Sequence, residues 1–170
     1  MNIKEINQST FFIEKDITEI SNKDIEFLKT KATGNRRGQA RLCTHPNIES
    51  PLHEMLIVLA KKTYIRPHKH LGKSESFHII EGNLKVVIFD EQGNVCKVIN
   101  MGDYHSQDTF YYKLSKAYFH TVISLSNFVV FHETTNGPFN TKDTIYAEWA
   151  PWEYDDKAKQ TYLNKLMAQI

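Results

Sequence analysis

His68 and His70 stand two residues apart, Glu75 follows five residues later, and Gly82 seven after that. On a β-strand, residues i and i+2 point to the same face. The two imidazoles are therefore able to meet at one point. A short loop through Gly72 turns the chain back, and Glu75 adds a carboxylate oxygen. Two nitrogens and an oxygen converging in this way suit a divalent transition metal. With 8 histidines in 170 residues, the His-x-His pair alone is weak evidence, but the Glu and Gly at fixed offsets bring the chance expectation to about one in a thousand. The ion expected is one divalent metal: iron, manganese, nickel or zinc.

Three ligands seldom complete a site, and His120 is the best fourth, on the segment Tyr118–Ser124. If His120 faces inward, so do Val122 and Ser124. A tight turn at Leu125-Ser126 would set His120 opposite Phe131 or His132, bringing Glu133 close to the metal. His132 and Glu133 cannot both face inward. Glu133 is favoured, because it completes an inward row with Val129 and Phe131. It is then a candidate general base, against the plainer reading of a solvated strand end. By parity His78 falls on the face opposite Glu75 and is exposed. His53 and His105 read as surface residues, and His45 as a loop histidine.

Three neutral imidazoles and one carboxylate around a divalent ion leave a net positive centre. Octahedral coordination keeps two positions open, whereas a tetrahedral zinc would be saturated. Tyr64, Arg66, Lys73 and Glu133 are placed at the mouth of the site, with Tyr64 as a second candidate catalytic group. The planar fork of Arg66 suits a carboxylate or phosphate, against the alternative of a surface salt bridge. In the basic segment Asn35-Arg36-Arg37-Gly38-Gln39-Ala40-Arg41, Arg37 or Arg41 would reach over the mouth, unless the segment is a solvated loop.

The elements that must position these residues read as β-structure. Glu54–Leu59, Thr63–Pro67, Phe77–Glu81, Leu84–Asp90, Val95–Asn100, Phe110–Leu114, Tyr118–Ser124 and Phe128–Thr134 are short apolar or alternating runs. Gly82-Asn83 reads as a two-residue hairpin, and Asp90–Gly93 as the next turn. Such spacing indicates a sandwich or barrel. Both ends read as helical or irregular. Ser21 and Asp24 form a capping box, Ile25, Leu28 and Ala32 share a face, and Gly34 is the C-cap. A second helix starts at Asp155 or Asp156 and runs to about Met167, with Tyr162, Leu163 and Leu166 to dock. The expected organisation is one domain: residues 1–50 packed on the barrel, 51–152 the barrel, and 153–170 a C-terminal helix.

The net charge of +1 offers no global field for nucleic acid or an anionic membrane. Apolar runs such as Met55–Ala60 are too short to span a bilayer, and Met1–Glu5 opens no secretory signal. Cys43 and Cys96 make no disulfide framework, which points to the cytoplasm. An open barrel exposes strand edges, and the N-terminal segment is long enough to cover one or to reach a second subunit.

His-x-His, four residues, Glu, six residues, Gly resembles the first motif of the cupin superfamily, with His120 in place of the second-motif histidine. Lys62, Ser115 and Ala117 stand where that pattern has Gly, Pro and Gly. More of the chain resembles the WbuC family of cupin-fold metalloproteins. The residues that carry this are Arg37–His45, Tyr64–His70, Phe89–Gly93, Glu133–Phe139 and Trp149-Ala150-Pro151. The resemblance implies an antiparallel cupin barrel (jelly roll), a bound divalent metal, a cytoplasmic homodimer and a role in O-antigen or other surface-polysaccharide synthesis. It also adds His45 as a candidate substrate contact. It implies no settled reaction. Two classes stay open: a metal-dependent isomerase, epimerase or oxygenase acting on a sugar or sugar nucleotide, and a non-catalytic small-molecule-binding or regulatory protein with the metal as anchor.

Overall fold

The apolar run Leu56–Leu59 has no polar alternation, which requires a strand covered on both faces. The computed structural model, which describes residues 3–61 and 63–170, supplies both covers. Met1, Asn2 and Lys62 lie outside the described residues. The strands are β1 (Ile3–Asn7), β2 (Thr10–Ile13), β3 (Gln39–Cys43), β4 (Leu52–Ala60), β5 (His68–His70), β6 (Glu75–Glu81), β7 (Leu84–Phe89), β8 (Val95–Met101), β9 (Tyr111–Leu114), β10 (Phe119–Ser124), β11 (Phe128–Asn136) and β12 (Thr144–Tyr146). The helices are α1 (Asn22–Thr33) and α2 (Asp156–Met167).

Two sheets form, in the orders β1-β2-β3-β4-β11-β6-β9 and β12-β5-β10-β7-β8. All the strand pairs are antiparallel except β2 with β3. Their inner faces pack Ile57, Leu59, Phe77, Ile79, Val86, Val122 and Phe131 into one core. The outer face of the larger sheet carries Leu42, Leu56, Val58 and Val130, covered by Leu28 and Ala32 of α1. The outer face of the smaller sheet carries Val87, Phe89 and Ile123, covered by Leu166 of α2 and by Ala147 and Ala150. The result is a jelly-roll-like pair of sheets, open at its sides rather than a closed barrel, with helices over both faces.

The helix signals hold in detail. Asp24 accepts hydrogen bonds from the Ser21 N–H at 2.7 Å and from its hydroxyl at 2.8 Å, and the Gly34 N–H donates to Thr30 O. At α2, Asp155 is the N-cap and accepts from the Ala158 N–H.

Three expectations are corrected. The N-terminal region is not only helical or irregular, because β1, β2 and β3 extend the larger sheet. Residues 63–67 form no strand; pairing starts at His68. Finally, Gly82-Asn83 and Leu125-Ser126 do not join paired strands. Each carries the chain from one sheet to the other, so His120 lies opposite Ile88 and His68, not Phe131 or His132. The two crossings hold each other: the Leu125 N–H donates to Asn83 O at 2.9 Å, and the Asn83 N–H donates to Ser126 Oγ at 2.9 Å. Asp90–Gly93 is a true hairpin, closed by Asp90 N–H to Asn94 O.

Candidate metal centre

Strand pairing assembles the site. On the smaller sheet Tyr146, His68, His120, Ile88 and Lys97 form one cross-strand row over β12, β5, β10, β7 and β8. His70 lies two residues along from His68 and shares its face. One ring nitrogen from each of His68, His70 and His120 falls within 4.8 Å of the others. The larger sheet brings Glu75 from the opposite side. Its Oε1 lies 2.8 Å from His120 Nε2, and its Oε2 3.6 Å from His70 Nε2.

The donor set fits a metal. His120 Nδ1 contacts Tyr118 O at 3.0 Å, and His68 Nδ1 contacts Arg66 O at 2.8 Å. A carbonyl only accepts, so both Nδ1 atoms carry a proton and both Nε2 atoms are left to face the site. Backbone carbonyls orient metal-bound histidines in this manner. His70 Nδ1 meets the Thr144 hydroxyl at 3.1 Å. Glu75 Oε1 and His120 Nε2 are both buried with no hydrogen-bond partner despite their 2.8 Å approach. Two such atoms this close call for a shared cation, a proton on His120 Nε2 in the metal-free protein or a metal ion in its place.

The electrostatics of the metal-free cluster follow from burial. Desolvation, aided by His120 and His70, pushes His68 down to about 3. Desolvation also lowers His70, against the pull of Glu75. For Glu75, burial favours the neutral acid, but the three imidazoles outweigh it and hold the carboxyl below its ordinary value. For His120, burial opposes protonation, yet Glu75 prevails and the pKa is raised. The cluster is thus neutral imidazole at His68 beside a Glu75–His120 pair that readily holds charge.

The other candidates divide. Glu133 does face inward, in the row Tyr112–Phe77–Glu133–Met55–Cys43. His132 faces the other way, with Nε2 3.7 Å from Glu54 Oε1. Desolvation, then repulsion from Glu75, raises the Glu133 carboxyl to about 7, with Arg41 drawing it back. Arg41 shares the inner face of β3 with Cys43, so it belongs to this chamber. Arg37 instead pairs with Glu153 at 3.2 Å, and Arg36 with Asp156 at 3.3 Å.

Three mouth candidates are tied elsewhere. The Tyr64 hydroxyl donates to Pro151 O at 2.9 Å, and its burial raises its pKa. Arg66 is buried, donates to Ala147 O at 2.7 Å and stacks on Trp152 with its Cζ 4.4 Å from the ring centroid. Lys73 donates to Pro138 O and lies 3.5 Å from Asp143. All three clamp the segment after β11 to the barrel. His78 and His105 are exposed as expected. His53 is not a surface residue: it is buried, its ring stacked on His45 with centroids 4.0 Å apart. His45 Nδ1 accepts from the Glu54 N–H at 3.2 Å, which fixes that ring as a buttress of β4.

Tyr112 was not singled out by the sequence. It is buried, its hydroxyl has no hydrogen-bond partner, and desolvation and then Glu75 raise its pKa. Its place on the inner face follows from parity with Leu114, but Tyr111 and Tyr118 beside it blur that signal.

A family model described as a domain of unknown function (DUF6016) matches residues 20–101, just under half of the chain. No curated protein sequence matches it. Among solved structures, a Shewanella oneidensis protein is 11% identical with a TM-score of 0.56, over 76% of this chain and 85% of that one. Oxalate decarboxylase from Bacillus subtilis is 21% identical with a TM-score of 0.47, over 58% of this chain and 24% of that one. The Cnp3 cupin domain of Schizosaccharomyces pombe is 11% identical with a TM-score of 0.46, over 59% and 66% of the two chains. Of the three, the likeness to the Shewanella oneidensis protein bears on the fold, and on the fold alone.

Proposed function

We propose that His68, His70, His120 and Glu75 bind one divalent transition metal, and that the protein is a metal-dependent enzyme acting on a small, oxygen-rich, sugar-derived substrate. The observation that carries this reading is the convergence of three imidazole nitrogens within 4.8 Å, beside an unpartnered buried carboxylate. A metal held there supplies Lewis-acid polarisation of a hydroxyl or carbonyl oxygen. The chain's own residues supply the rest. Glu133, whose carboxyl sits near 7, exchanges a proton at neutral pH and is the residue suited to act as base. Arg41, on the same inner face, orients an anionic group.

The WbuC-like motifs support a place in surface-polysaccharide synthesis, in a cytoplasmic homodimer. Elemental analysis tests the metal: about one equivalent per chain is expected, and none in the His68→Ala/His70→Ala variant. Full retention in that variant would sink the reading. The second reading, a metal-anchored binding protein, is favoured by the engagement of Tyr64, Arg66 and Lys73, which leaves Glu133 as the one free acid–base group among those candidates. Glu133→Gln separates the two: an enzyme loses turnover of a sugar-derived substrate, and a binding protein keeps its ligand affinity.

A further inference from the structure

The two sheets do not close where β8 and β9 face each other. Only Met101 and Thr109 bridge that side among the described residues. Between the edges runs a crevice of about 920 Å³, lined in part by Ile88, Lys97, Ile99, Tyr112 and Leu114. Two of these residues are cross-strand neighbours of the metal-site residues. Ile88 is the cross-strand partner of His120, and Leu114 is the partner of Glu75. Lys97 ends the row that begins Tyr146–His68–His120–Ile88, on the same inner face. Two strand spacings of about 4.8 Å each put its Cα about 10 Å from that of His120. Its four-carbon stem spans most of that gap.

The lining is cationic. Lys97 and Lys113 are exposed along it, and its one carboxylate, Asp108, accepts from Asn83 Nδ2 at 3.3 Å. Tyr112 lines the crevice, and its buried hydroxyl, which feels the charge of Glu75, has nothing to bond. A buried phenol without a partner is costly unless a ligand supplies an acceptor. We infer that the β8–β9 crevice binds a small organic dianion. One oxygen reaches the metal and accepts from the Tyr112 hydroxyl, while a distal carboxylate or phosphate pairs with Lys97. This rests on the metal reading above, which it extends to the class of ligand and the side from which it enters.

Calorimetric titration of the manganese-loaded protein tests it, with succinate as the carboxylate probe, glucose 1-phosphate as the phosphate probe and butyrate as a monoanion. At least one dianion should bind. Lys97→Met should weaken it about tenfold, the factor that corresponds to about 1.4 kcal/mol, and Tyr112→Phe severalfold, with neither variant losing metal. Lys85→Met, on the outer face of β7, should change nothing, and butyrate should ignore Lys97→Met. The stronger probe tells carboxylate from phosphate. Tyr112→Phe removes only an unpartnered hydroxyl, and its melting temperature confirms its fold. If neither dianion binds, or binding survives both substitutions, the inference is overturned. If the protein takes none of manganese, iron, nickel and zinc, the metal reading fails by itself and the titrations are judged on metal-free protein. There, binding that depends on Lys97 and Tyr112 upholds the crevice, and its absence overturns it.

Discussion

Glu75 and His120 belong to different sheets, yet Glu75 Oε1 lies 2.8 Å from His120 Nε2. A metal bound between them ties one sheet to the other. A ligand present at a hundred times its dissociation constant adds about 2.7 kcal/mol to stability. For a chain of 170 residues that is a melting-temperature rise of about 5–10 °C. Calorimetry with and without EDTA should show it, and the His68→Ala/His70→Ala variant should melt at one temperature in both.

The same pair matters without metal. His120→Ala leaves Glu75 buried without its partner, a loss of about 3–5 kcal/mol. Replacing both residues by leucine should recover most of this, since no buried charge remains. Urea unfolding of the three metal-free proteins measures the difference, and a double variant no more stable than His120→Ala would contradict the account.

Stability of the metal-free protein should fall in acid. His68 titrates near 3 when folded against 6.5 ordinarily. Between those values the unfolded chain binds more protons, so its contribution is lost as the pH drops. His45 and His53, lowered first by burial, act in the same sense. His120, whose pKa is raised, acts in the opposite one, losing its contribution as pH rises through its folded value. His68→Leu should therefore flatten, without abolishing, the decline between pH 6.5 and 5 in a series of urea unfolding curves.

Glu133 runs the other way. Its carboxyl is raised from 4.5 to about 7, so the folded state binds more protons across that window and stability declines as the pH rises through it. The isosteric Glu133→Gln should stabilise the protein at pH 8 more than at pH 5. A ¹³C-labelled Glu133 carboxyl should titrate near neutrality in wild type, and a midpoint near 4.5 would remove the case for it as a base.

Gly82 has φ +80°, and a Cβ there would meet Phe128 O at 2.3 Å. Gly82→Ala therefore combines a left-handed strain of about 1–2 kcal/mol with a backbone clash. The expected result is a stability loss of roughly 3 kcal/mol or more. Metal stoichiometry should be unchanged in the fraction that folds.

Much of this was legible in the chain because the signals were local. Alternation along Phe128–Thr134 put Glu133 inward and His132 outward, and the structure agrees. Ser21 marked the first helix start and the pair Asp155-Asp156 the second, where the structure makes Asp155 the N-cap. What sequence could not convey was which sheet a strand joins. Gly82-Asn83 has hairpin chemistry, but the apolar inner faces of β6 and β7 pack against each other from opposite sheets. Arg66, Tyr64 and Lys73 carry groups suited to a substrate, but carbonyls of residues 138–151, distant in sequence, claim them. His53 read as a surface residue. Its neighbours in space are His45 and Gly137, whose added Cβ would stand 2.8 Å from His53 Nε2.

The two crossings at Gly82-Asn83 and Leu125-Ser126 bond to each other at one end of the jelly roll. Glu75 and His120 lie at the far ends of the strands that lead into them, seven and five residues away. Strand rise of about 3.3 Å per residue puts about 16–23 Å between the crossings and the metal centre. The molecule is in this sense a clamshell: a fixed hinge where the backbone changes sheets, and a clasp of imidazoles and one carboxylate at the rim. With the clasp undone, the short rim strands β5 and β12 are the first to gape, while the hinge keeps the halves in register. Amide exchange that quickens at β5 and β12 on chelation, and not at residues 82–84 or 124–126, is the signature of that motion.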